Sequence, residues 1–113
     1  MKSIEKINAR RIETRGMVNS VAIRQAEEIV QRATGFPLSD YATRSRKTEF
    51  VALRALFTYI AVELGASFLA VGKALGRSHA TAIHSYETYS QCSTTWEPLS
   101  KLRAKVIALA DQQ

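Results

Sequence analysis

Phe50, Leu53, Phe57, Ile60, Ala61 and Leu64 recur at spacings of three and four. That is the period of one helix face, and a strand would scatter the same residues over both sides. The stripe predicts a helix from about Lys47 to Leu64, closed by Gly65. The same period runs through nearly the whole chain. Val18, Val21, Ala22, Ala26, Ile29, Val30 and Ala33 form one apolar face, ended by Gly35. Pro37 suits the start of a short helix through about Thr43. Ser67 can cap a helix from Phe68 to Leu75, Gly76 breaks it, and Ser78 caps another running to about Gln91. A last helix begins near Thr95 or Trp96, with Pro98 in its first turn and Leu99, Leu102, Val106 and Leu109 at heptad-like spacing. Ile4, Ile7 and Ile12 give a weaker stripe on a charged first helix ending near Gly16. No stretch sustains a period of two. The expected fold is an all-α helical bundle, divided into a charged helix at 1–16, a central domain at 17–92 and an amphipathic helix at 93–113.

A chain of 113 residues holds one modest core. Its apolar runs are short and interrupted by charge, so no membrane span is expected. Residues 1–15 lack the apolar stretch of a signal peptide. Cys92 is the only cysteine, so no intrachain disulfide can form. Both readings point to the cytoplasm. The net charge of +6 is unevenly placed. Residues 41–80 hold six basic side chains (Arg44, Arg46, Lys47, Arg54, Lys73 and Arg77) against Glu49 and Glu63. A local positive field attracts nucleic acid, anionic lipid or acidic protein.

The segment 67–89 reads SFLAVGKALGRSHATAIHSYETY. It has the parts of a helix-turn-helix: a short helix, a tight turn and a second helix whose start can reach DNA. Phe68, Val71 and Leu75 face the core from the first helix, and Ala82, Ile83, Tyr86 and Tyr89 from the second. The second helix then exposes Ser78, His79, Ala80 and Thr81 in its first turn, where short polar groups and a methyl meet the positive end of the dipole. Arg77 lies in the turn, within reach of phosphate.

Spacing alone leaves any glycine-joined helix pair eligible; the wording of the segment is more specific. It resembles the C-terminal DNA-binding domain, domain IV, of the bacterial chromosomal replication initiator DnaA. That family opens its motif with a hydrophobic-Gly pair, here Val71-Gly72. An Arg-Asp-His-Thr-Thr-like run follows, here Arg77-Ser78-His79-Ala80-Thr81, and then a hydrophobic pair and a second His, here Ala82-Ile83-His84. Upstream, the family's basic loop and long helix correspond to Arg44-Ser45-Arg46-Lys47, Arg54 and Glu63-Leu64. The likeness spans about residues 29–90. It implies a Trp-repressor-like helical fold with Arg46 entering the minor groove, Arg54 on the DNA backbone, and Arg77 to Thr81 at the major groove. Arg44, Lys47 and Lys73 complete the expected DNA-binding set.

Two departures bear on preference. Ser78 stands where the family has aspartate, and Ala80 where it has its first threonine. The turn also reads one residue shorter. Aspartate accepts strongly from a cytosine amino group; serine does so less. DNA binding is therefore expected to survive while preference for the initiator's own site weakens or changes.

No G-x-x-x-x-G-K-[ST] loop is present, so no nucleotide is expected, and the chain reads as a free-standing version of the DNA-binding domain. No metal or other cofactor is expected. His79 and His84 are five apart and lie on different helix faces, unlike a zinc pair spaced at four. Cys92 and two histidines in a small helical domain are more simply incidental than catalytic, so no enzyme activity is expected. The expected function is double-stranded DNA binding in replication control or transcriptional regulation, in a bacterial or phage setting. The competing reading is a protein-interaction module that uses the same fold to bind a replication or regulatory partner. The Leu99–Leu109 stripe leaves two placements open: folding back on the domain, or pairing with a second copy as a homodimer.

Overall fold

The computed structural model describes residues 18–112. The charged helix expected at 1–16 lies outside them. Six helices follow in order: α1 (Asn19–Thr34), α2 (Leu38–Tyr41), α3 (Thr48–Glu63), α4 (Phe68–Ala74), α5 (His79–Cys92) and α6 (Glu97–Asp111). Among the described residues there is no strand, and no helix is long and apolar enough to cross a membrane.

The long helix α3 is the axle of the fold. Its residues 52–58 are all buried, in an unbroken run that includes Arg54 and Thr58. The sequence predicted a single stripe; the structure covers the helix on nearly every side, as an all-round apolar helix requires. Helices α1, α5 and α6 pack along it, and α4 packs mainly on α5. Leu53, Leu56, Phe57 and Ile60 have no measurable exposure, and Tyr41 lies against Phe57 with ring centroids 5.8 Å apart. From α1 come Ala22, Ala26 and Val30, whose small side chains let that helix approach closely. Val18 precedes the first turn of α1 and is 61% exposed, so it stands apart from the stripe it was read with.

The last helix folds back. Leu99, Leu102 and Val106 belong to the same buried cluster as α1 and α3. Their apolar surface is thus used within the molecule. Of the two placements left open by the sequence, the stripe takes the fold-back one; pairing with a second copy through Leu99, Leu102 and Val106 would require undocking α6 from its own core. Burying three such side chains is worth roughly 1.5–3 kcal/mol each.

The short helix α2 ends at Tyr41, two residues before the expected Thr43. Hydroxyls compete with it. Thr43 Oγ1 accepts from Ser45 N at 3.3 Å, and Ser45 Oγ accepts from Lys47 N at 3.2 Å. Such local side-chain bonds offer the backbone an alternative to helix, and the segment between α2 and α3 becomes an irregular basic loop. At the far end of α3, Gly65 adopts φ 115°. Ala66 N then reaches back to Ala61 O at 2.9 Å, and Ser67 N donates to Asn19 Oδ1 at 3.0 Å. This bond ties the start of α1 to the start of α4, fixing where the next helix pair begins.

Candidate nucleic-acid interface

Helices α4 and α5 meet through a turn of four residues, Leu75 to Ser78. Ser67 caps α4 by accepting from Ala70 N at 3.1 Å. Gly76 takes φ 65°, the left-handed conformation that ends a helix cheaply only at glycine. Gly76 N then bonds Lys73 O at 3.0 Å and Arg77 N bonds Gly72 O at 2.8 Å. The turn folds down so tightly that a Cβ on Gly72 would sit 2.8 Å from Ser78 O and 2.9 Å from Ser78 C. Both atoms are backbone. A glycine is therefore required in the middle of α4 by a close approach, a reason that spacing does not reveal.

The back of α5 is locked by aromatic rings. Tyr59 of α3 stacks on Tyr89 at 4.0 Å and on Tyr86 at 5.5 Å, while Phe68 of α4 meets Tyr86 edge-on at 5.5 Å. Tyr86 also donates to Glu63 Oε1 at 2.8 Å. Burial pushes the Tyr89 phenol up to about 12, so it stays neutral at physiological pH. The buried row of α5 is Ala82, Ser85 and Tyr89, with Ile83 and Tyr86 half-buried. Ser85 was missed as a core position because a polar residue carries no hydrophobic signal. With its back fixed, α5 presents its N-terminus outward.

At that end Ser78 is the N-cap. Its Oγ accepts from Thr81 N at 3.2 Å and lies 3.1 Å from Thr81 Oγ1. The two hydroxyls share one proton between them, which leaves one donor for an outside acceptor. His79 and Ala80 are fully on the surface beside the cap, and Thr81 is half-buried. No acidic residue lies in this first turn. The positive end of the helix dipole therefore faces outward without a competing carboxylate.

The basic loop lies next to this turn. Arg77 donates to Thr43 O at 3.3 Å, so Thr43 is where the loop and the helix-turn-helix meet. Arg44, Arg46 and Lys47 are exposed, as is Lys73 on α4, while Arg77 is half-buried. Arg54 is different. It is only 5% exposed, and its guanidinium donates to Tyr41 O and Thr43 O, both at 3.1 Å, and to Ser45 O. Burial first, and then neighbouring Arg77, pull its pKa below the usual value; an arginine remains charged regardless. Of the ten predicted residues seven are thus exposed, Arg77 and Thr81 are half-buried, and Arg54 turns inward beneath the loop. The ion pairs Glu28–Arg32 and Glu97–Lys101 lie on α1 and α6.

His84 is exposed on the flank of α5 and Cys92 is half-buried at its far end. Among the described residues no group of three His, Cys, Asp or Glu side chains is placed to hold a metal.

The geometry agrees with a comparison of the sequence to known families. Residues 23–88, more than half the chain, match the family of the bacterial DnaA protein helix-turn-helix. The chain belongs to that family. The match runs from α1 through most of α5 and takes in both the basic loop and the helix-turn-helix. It leaves out α6, which nonetheless contributes Leu99, Leu102 and Val106 to the core. The family is a helical DNA-binding domain rather than a catalytic one. Neither a curated protein nor a solved structure gives a significant match.

Proposed function

We propose that the protein binds double-stranded DNA with the start of α5 in the major groove and the basic loop in the adjacent minor groove, acting in replication control or transcriptional regulation. The observation that supports this most is the bond from Arg77 to Thr43 O, which holds the loop and the recognition turn side by side. Two contacts of different kinds can then fall on neighbouring grooves. His79, Ala80 and the spare hydroxyl of Ser78 and Thr81 face base edges. Ala80 suits a thymine methyl, and His79 suits a purine acceptor. Arg46 enters the minor groove, where a narrow groove concentrates negative potential. Arg44, Lys47, Lys73 and Arg77 take phosphates, which supply most of the affinity but little preference.

The cap limits preference. Ser78 Oγ already serves Thr81 N, and Ala80 offers only a methyl group. Fluorescence anisotropy with an initiator-type duplex and a scrambled duplex tests this reading. The expected result is binding to both, with affinities within about tenfold; each well-made bidentate base contact would otherwise add roughly 1–3 kcal/mol of discrimination. Discrimination of a thousandfold would contradict the weakened preference. No binding to either duplex would overturn DNA binding itself and favour a protein partner.

A further inference from the structure

The loop between α2 and α3 has no sheet partner and no helix, yet a set of specific bonds holds it. Thr43 and Ser45 are half-buried, and their hydroxyls accept from Ser45 N and Lys47 N. The carbonyls of Tyr41, Thr43 and Ser45 point to one side, where Arg54 meets all three. Hydroxyl bonds to the amide two residues on are serine and threonine turns, which fix an irregular chain locally. The even-numbered residues Arg44 and Arg46 are exposed.

From this we infer that Arg54 is a positioning residue for DNA binding: it holds the loop in its bonded conformation, with Arg44 and Arg46 on the surface, and does not itself bind phosphate. The inference rests on the DNA-binding reading above. Only arginine meets the need. One nitrogen of the fork serves Tyr41 O and Thr43 O, and the other serves Ser45 O. A lysine offers three protons on one atom and cannot span carbonyls two and four residues apart. Arg77 adds a fourth bond, at Thr43 O, so the strut also registers the loop against the recognition turn. An exposed arginine needs no such set of acceptors, and a phosphate-binding one would have its fork free. Arg54, at 5% exposure, has neither the surface nor the spare geometry.

A double-mutant cycle separates positioning from contact. Arg54→Lys keeps the charge and removes the fork. If it leaves the loop in this conformation only a tenth of the time, affinity falls about tenfold, because apparent affinity scales with the competent fraction. When Arg44 and Arg46 are both alanine, the same Arg54→Lys change is expected to cost less than about twofold, since the groups it positions are gone. An equal loss in both backgrounds would overturn the inference, because it is the mark of a direct phosphate contact. No loss in either background would overturn it too. A second measurement on the unaltered protein covers the case in which Arg54→Lys does not fold. The Arg54 guanidinium protons should exchange slowly with water in nuclear magnetic resonance spectra, and should keep their shifts when duplex is added. Fast exchange, or a shift on titration, would overturn the inference. Failure of the unaltered protein to bind duplex would instead remove the DNA-binding reading, leaving the slow exchange of Arg54 unaffected.

Discussion

Gly72→Val should destabilise the domain by roughly 3 kcal/mol and abolish detectable DNA binding at moderate salt. The cost comes from overpacking, which runs about 1–3 kcal/mol and occasionally more. Here the first added carbon alone would approach Ser78 O at 2.8 Å and Ser78 C at 2.9 Å. Neither atom can swing aside as a side chain would. The small gain in helix preference over glycine, a few tenths of a kcal/mol for a β-branched residue, does not offset this. Relief can come only by lifting the turn off α4, and that moves Ser78, His79 and Ala80 out of register with the loop. Gly35 is the control. Its φ is 84°, but a Cβ there would meet nothing within 4 Å. Gly35→Ala should cost only about 1–2 kcal/mol of backbone strain and leave DNA affinity nearly unchanged. Denaturant titration of both variants checks the stabilities. A Gly72→Val protein as stable as Gly35→Ala would mean that the close approach does not exist in solution.

Arg46→Ala should weaken duplex binding about 10- to 100-fold while changing the unfolding midpoint little. Arg46 is exposed and makes no bond that the fold relies on. Its loss removes a charge held against a groove, and a contact of that kind is worth roughly 1–3 kcal/mol. The comparison is Arg32→Ala, an exposed arginine of α1 paired with Glu28. Arg32 already faces a carboxylate in an exposed pair, which leaves little net field of its own, so that change should cost less than about twofold. Anisotropy titrations of the two variants give the ratio directly. Equal losses would mean that net charge, rather than the loop, drives binding.

Most of the helices were legible because their apolar faces repeat cleanly and glycine or serine marks their ends. Gly35, Gly65, Ser67, Gly76 and Ser78 stand at the boundaries of α1, α3, α4 and α5. What escaped the sequence was decided by neighbours distant along the chain. Arg54 sits on the helix that carries the strongest stripe, and nothing in its own surroundings says whether a long cation points out to phosphate or in to carbonyls. Only the folded loop, with three acceptors aligned, settles its direction. Gly72 could be read as part of a family pattern, but its physical need arises from Ser78, six residues on and across a turn. The stripe of α6 looked the same whether it was to cover its own domain or another. Its destination depended on the uncovered sides of α1 and α3, which exist only once those helices are packed. The region of the site was thus readable, because its residues cluster in two short segments. The division of labour between exposed and buried cations was not.

The most direct test is the salt dependence of binding to a labelled duplex by the unaltered protein. If Arg44, Lys47, Lys73 and Arg77 take phosphates as proposed, about four contacts form, and log affinity should fall against log salt with a slope of roughly −3 to −4. Between 50 and 200 mM salt that is a loss of about 10²-fold. Binding that falls on this slope is the predicted result. Binding that is absent at 50 mM, or that does not change with salt, would contradict the account.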